Sequence, residues 1–165
     1  LARARGARPL AGLAGWGQAC DGYHCARPEP EGAALEAAMR RALDDAGFAP
    51  EAVDHVNAHA PSTPQGDRAE ALALRRLFGR RSPAIASTKA LGGHALSMAG
   101  LLEAALCALA LSESVIPGQA HLEEPDEACE GLDLPAASRA AGFGAALNNS
   151  SGFGGANVCH LFTRT

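Results

Sequence analysis

A chain of 165 residues suits a single domain, residues 1–165, with room for a sizeable core. It is 47% hydrophobic and 19% charged, with only 4% aromatic residues, the composition of a soluble globular protein whose core is rich in Ala and Leu. A net charge of −4 and the lack of any basic run exclude a general affinity for nucleic acid.

In chain order, residues 9–16 are apolar and interrupted by glycine, which predicts a strand reaching Gln18. Asp21-Gly22-Tyr23-His24 reads as a turn or a short helical piece, and Pro28 and Pro30 then punctuate the chain. A helix is expected over about 31–46, because Leu35, Ala38, Met39, Ala42, Leu43 and Ala46 share one face. Gly47 is a natural stop for it. Residues 53–59 read as the next strand. Asp67 and Glu70 then have the form of a capping box opening a helix to about Phe78, with Ala71, Leu74, Leu77 and Phe78 facing inward.

Ser82-Pro83 breaks the chain before a short buried strand at 84–88, and a long apolar helix is expected over 93–112. A membrane span needs about 20 apolar residues; this run is shorter and carries Ser97, Gly100 and a central Glu103. It is better read as a helix packed inside protein on nearly all sides, with Gly100 marking close backbone approach. Val115-Ile116-Pro117 suggests a brief strand, residues 118–140 a proline-marked acidic loop, and residues 144–149 and 157–163 two closing strands. The order βαβαβαββ predicts an α/β fold, a five-stranded mixed sheet flanked by helices with right-handed crossovers.

Five scattered cysteines with no CxxC or zinc spacing argue against a metal site and favour free thiols in a reducing cytoplasm. Cys107 and Cys159 are expected in the core. The pairs Arg40-Arg41, Arg75-Arg76 and Arg80-Arg81 read most simply as solvated helix ends.

Two stretches carry the chemistry: Val56-Asn57-Ala58-His59 running into Ser62-Thr63-Pro64-Gln65-Gly66-Asp67, and Ser87-Thr88-Lys89 running into Gly93-His94. Each places a histidine beyond a strand end, with Lys89 near the second. Two imidazoles and an ammonium at the carboxyl ends of strands suit carbonyl chemistry. A lone strand-end histidine is more often structural, but His59, Lys89 and His94 support one another. His24, His55, His121 and His160 have no such support and read as structural or surface residues. Neither stretch supplies a nucleophile.

These motifs resemble the C-terminal half of the β-ketoacyl-acyl-carrier-protein synthases, condensing enzymes of the thiolase fold. The resemblance also includes Asp21-x-Tyr23-His24, Glu124-Pro125-Asp126-Glu127 and Asn149-Ser150-x-Gly152-Phe153-Gly154-Gly155-x-Asn157. It implies decarboxylative Claisen condensation of a malonyl thioester, carried on the phosphopantetheine of acyl carrier protein, with an acyl group held on a cysteine. No other cofactor is implied. His59 and His94 match the family histidines that donate N–H bonds to the forming enolate, and Lys89 matches the lysine that biases the local field. At the head of the expected helix, His94 would be kept neutral by the helix dipole. Thr63 falls where the pantetheine arm is contacted. Phe153, between Gly152 and Gly154, matches a gating residue whose backbone N–H joins the oxyanion hole. Asp67, Glu103 and Asn157 match supporting positions.

The departures are Pro61, Ala26 and Ala156 where hydroxyl residues are usual, Ser151 in place of phenylalanine, and no match to the nucleophilic cysteine. Two readings follow: a split or truncated synthase acting with an N-terminal half supplied elsewhere, or a non-catalytic partner resembling a chain-length factor that binds a ketosynthase or carrier protein. A modular polyketide ketosynthase is a weaker third. All imply a cytoplasmic protein that associates as a dimer or with a homologous subunit.

Overall fold

The computed structural model describes residues 1–165. The main sheet has five strands in the order β1-β7-β6-β2-β3. They are β1 (Gly12–Cys20), β2 (His55–Asn57), β3 (Ala84–Ala86), β6 (Ala145–Gly152) and β7 (Ala156–Thr163). β2 pairs in parallel with β3 and β6, whereas β7 runs antiparallel to both β6 and β1, so the sheet is mixed as expected. A separate two-stranded ribbon, β4 (Val115–Ile116) with β5 (Arg139–Ala140), ties down the long loop between them.

Helices α1 (Ala33–Ala46) and α2 (Pro64–Phe78) cover one face of the sheet. The larger core lies there, where Leu35, Met39 and Leu43 of α1 and Leu74 and Leu77 of α2 meet Val56, Leu147 and Leu161. Gly47, at φ +64, ends α1; its N–H reaches the Asp44 carbonyl and the Phe48 N–H reaches that of Leu43, the closure a left-handed residue permits. The glycines of β1 let α1 sit directly on the strand. A Cβ at Gly15 would lie 2.3 Å from the Ala42 carbonyl oxygen, and one at Gly17 2.2 Å from that of Ala38.

The opposite face is covered by α4 (Ala99–Glu113), which packs chiefly on β6 through a smaller cluster that includes Cys107, Ala110, Leu111, Ala146 and Phe143. Cys107 and Cys159 are both buried.

Several expectations need correction. The single helix expected over 93–112 is a 3-10 turn at Leu96–Met98 followed by α4, and a separate short helix, α3 (Lys89–Gly92), precedes both. Leu96 takes φ +52, outside the helical region, so the helix cannot run back through it to His94. Nor is α4 enclosed on nearly all sides. Of its 15 residues, only Ala99, Glu103, Cys107, Ala110 and Leu111 are buried. The Asp67/Glu70 capping box is absent. Thr63 caps α2 by accepting the Gly66 N–H (3.2 Å), Pro64 takes the first turn where its missing N–H costs nothing, and Asp67 reaches back to the Thr63 N–H (3.0 Å). The arginine pairs are exposed, as expected, although Arg40-Arg41 lies within α1 rather than at its end, and several also make hydrogen bonds. Arg41 donates to the Gln18 carbonyl, Arg76 to Glu36 and the Glu31 carbonyl, and Arg75 to the Ala128 carbonyl.

Candidate active site

Two corners of the sheet build the site. At the first, β2 ends at Asn57 and the Ala58 N–H still bonds the Ala86 carbonyl, so His59 emerges from a fixed strand end. Ala60 at φ +25 and Ser62 at φ +68 turn the chain sharply toward α2. Glu70, fully buried on α2, holds that turn. Its carboxylate accepts the N–H groups of His59 (3.0 Å) and Ala60 (2.8 Å) and the side-chain amide of Asn149 (3.0 Å). Burial pushes the Glu70 carboxyl above its usual range despite these bonds.

At the second corner, β3 gives way to α3. Lys89 is buried, and its ammonium pairs with the carboxylate of Glu103, buried on α4. His94 follows in the exposed link to α4 and meets the ring of His59 edge to face, with centroids 5.4 Å apart. The helix-dipole expectation for His94 fails, since α4 begins only at Ala99. Its proton is placed by another contact. The Leu96 N–H donates to Nδ1 (3.2 Å), which leaves Nε2 to carry the proton of the neutral ring.

His59 is driven down to about 4 by burial, then by the positive charge of Lys89 and by His94. It is therefore an uncharged imidazole at neutral pH. A cavity of about 240 Å³ opens beside it, walled by Leu96, Gly100, Ser150, Gly152 and Val158. A smaller recess of about 30 Å³ lies behind it, among Asp21, Glu70, Ser151 and Asn157.

The remaining expected residues divide by position. Gly152 lines the larger cavity, whereas Thr63, Phe153 and Gly154 do not. The Thr63 oxygen is engaged in capping α2. Phe153 is 86% exposed at the tip between β6 and β7. Gly154 (φ +81) and Gly155 (φ +79) permit that tip, and the segment after β1 braces it: the Gly154 N–H bonds the Cys25 carbonyl (2.7 Å) and the Asp21 N–H bonds the Gly155 carbonyl (2.8 Å). Asn157 sits below the tip, donating to Asp21 (2.7 Å) and accepting from the Ser151 hydroxyl (2.7 Å). Asp67, raised by burial, stays at the start of α2.

His55 is a core residue. It donates from Nδ1 to the Ala84 carbonyl (2.9 Å), packs edge to face on Phe143 and is pushed down to about 4 by burial. Sequence reasoning gave Glu70 only a capping role and Asp21 only a place in a motif, and missed the hold that each has on the site. The available signal for Glu70 was an acidic residue on the inward face of α2, beside Ala69, Ala73 and Leu74.

This arrangement can present two imidazole N–H donors to one carbonyl oxygen with a buried cation behind them, which is the means of stabilising a developing enolate. A family model described as "Beta-ketoacyl synthase, C-terminal domain" matches residues 10–123. The chain is 40% identical, over 99% of its length, to the 3-oxoacyl-[acyl-carrier-protein] synthase 2 of Coxiella burnetii, of which it covers 40%. Among solved structures, the ishigamide ketosynthase/chain length factor superposes with a TM-score of 0.93 at 33% identity, covering 99% of this chain and 40% of that one. A type II PKS acyl-carrier protein in complex with its ketosynthase bound to the hexaketide gives 0.93 at 30% identity, covering 99% and 41%. The chain thus spans about two fifths of the relatives it matches.

Proposed function

The chain belongs to the β-ketoacyl synthase C-terminal domain family, and from that premise we propose that residues 1–165 form the enolate-stabilising part of a 3-oxoacyl-acyl-carrier-protein synthase. The observation that carries the reading is the edge-to-face approach of His59 and His94, 5.4 Å apart, with Lys89 buried behind them. A malonyl thioester with its carbonyl oxygen between the rings loses carbon dioxide, and the enolate oxygen accepts N–H bonds from both imidazoles. The carbanion then attacks an acyl thioester held on a cysteine that this chain does not match. His59 suits the donor role because it stays uncharged near neutrality. Lys89, paired with Glu103, contributes a fixed positive field rather than a mobile proton. Gly152 and Phe153 would close the mouth, and Thr63 would meet the pantetheine arm of the carrier.

The partners in this reading are acyl carrier protein and a complementary ketosynthase half, in the cytoplasm. An uncovered apolar face beside α4, with Leu101, Leu102 and Leu109 exposed, supports the second of these. Mixing the chain with such a half and malonyl carrier protein labelled with 14C at the free carboxyl (C3) tests the proposal. Labelled carbon dioxide should be released, and His59→Ala or His94→Ala should abolish that release.

The alternative, a non-catalytic partner like a chain-length factor, is favoured by the similarity to the ishigamide ketosynthase/chain length factor. Stable binding of the half or the carrier with no release of carbon dioxide would select it.

A further inference from the structure

Strand pairing between β2 and β3 ends at Asn57 and Ala86, so the two histidine-bearing turns beyond it need another link to stay in register. Ser87 supplies one. Its hydroxyl donates to the Ala60 carbonyl (3.5 Å), next to His59, and accepts the Lys89 N–H (3.4 Å) at the start of α3, which leads to His94. The peptide around Ala60 is thereby gripped from both sides, Glu70 on its N–H and Ser87 on its carbonyl. Ser87 is 3% exposed, and its own N–H, past the end of the ladder, is taken by the Gln119 side-chain carbonyl at 2.6 Å. Gln119 is fixed in turn. Its N–H bonds the Pro135 carbonyl (2.6 Å), and a Cβ on the neighbouring Gly118 would lie 2.4 Å from the Ala137 carbonyl carbon.

We propose that Ser87, anchored by Gln119, is a positioning residue that sets the spacing of the His59 and His94 rings. The inference rests on reading those rings as a paired donor to one oxygen. Both hydroxyl contacts are long for hydrogen bonds; what fixes the spacing is that Ser87 is buried between the two turns with its backbone N–H held by Gln119 at 2.6 Å. The side chain of a residue in the 118–140 loop then reaches the site without touching substrate.

The test is nuclear magnetic resonance of the 165-residue chain, following the Overhauser cross-peak between the ring protons of His59 and His94. Ser87→Ala and Gln119→Leu should each lose the cross-peak while the backbone amide spectrum outside the two turns stays that of the folded parent. Ser87→Thr, which keeps the hydroxyl, and Gln119→Glu, which keeps the acceptor, should each retain it. An undiminished cross-peak in both Ser87→Ala and Gln119→Leu would overturn the proposal, as would equal loss in the Ser87→Thr variant. Should Ser87→Ala fail to fold, the Gln119 pair decides alone. Absence of decarboxylation in the complemented enzyme, with these cross-peaks behaving as expected, would strike the functional reading and leave the spacer standing.

Discussion

Glu70 shows how one buried side chain holds a site from behind, through the backbone of the residues that form it. Three N–H donors, from His59, Ala60 and Asn149, converge on its carboxylate. Glu70→Ala leaves those donors without their acceptor in a dry environment, at a cost of about 1–3 kcal/mol. We expect that loss in urea melts, together with a displaced His59 resonance. His55 makes a separate prediction. Its folded value of about 4 lies below the ordinary 6.5, so the unfolded chain binds a proton that the folded chain refuses. Stability is therefore full above pH 6.5 and falls as pH drops toward 4, by about 1.4 kcal/mol per pH unit from this residue. His55→Gln can still donate to the Ala84 carbonyl, and denaturation series at pH 5 and pH 7 should show a shallower loss for it than for the parent.

Among the elements, the buried Lys89–Glu103 pair fastens α3 to α4. Lys89→Met strands the Glu103 carboxylate inside the protein, a change that typically costs about 3–5 kcal/mol. The double variant Lys89→Met/Glu103→Leu removes both charges and should be more stable than Lys89→Met alone, as read by equilibrium unfolding. The contact of α1 with β1 is equally specific. Gly17→Ala places a methyl group 2.2 Å from the Ala38 carbonyl oxygen and should cost at least the 1–3 kcal/mol typical of overpacking. This scale also shows what can be read from residues alone. The spacing of Leu35, Ala38, Met39, Ala42 and Leu43 gives α1 directly, because its burial pattern follows its own period. The break between α3 and α4 leaves no such trace. Residues 90–98 are mostly exposed and nearly uncharged, so an apolar run there looks like continued helix until Leu96 is found with positive φ. The capping of α2 is misread for a related reason, since Thr63 and Asp67 compete with Asp67 and Glu70 for the same short-range pattern. His59 was legible because it follows a recognisable strand end, whereas His94 lies beyond α3 and is tied to the site in the sequence only through the Ser87-Thr88-Lys89 to Gly93-His94 motif. The roles of Glu70 and Asp21 depend on contacts across 10 residues or more, as with Glu70 to Ala60, and spacing does not encode them.

For the molecule as a whole, the two faces of the sheet are unequal. One is sealed by α1 and α2. The other is covered by α4 chiefly over β6 and partly over β7; the outward stripe of α4 leaves Leu101, Leu102 and Leu109 exposed, as is Met98 in the turn before it, while Trp16 on the edge strand β1 is 53% exposed. At 15 residues, α4 falls short of the roughly 20 that a membrane span needs, and its one internal charge, Glu103, points into the protein against Lys89. Neighbouring strands lie about 4.8 Å apart and a helix is about 10 Å across, so edge strand β1 and the part of β7 beyond α4 leave room for one further helix. An apolar strip of that size drives association. Alone at micromolar concentration, the chain should therefore scatter light as an assembly heavier than 16.8 kDa. Its single tryptophan gives an independent reading: emission should be blue-shifted in the assembly and move to the red on dilution as Trp16 meets water. Leu101→Lys combined with Leu109→Lys, both on the exposed stripe of α4, should abolish the shift and yield a monomer that melts as before. A monomer of the parent chain at every concentration, with tryptophan emission already red, would mean that this face is stable in water and needs no cover.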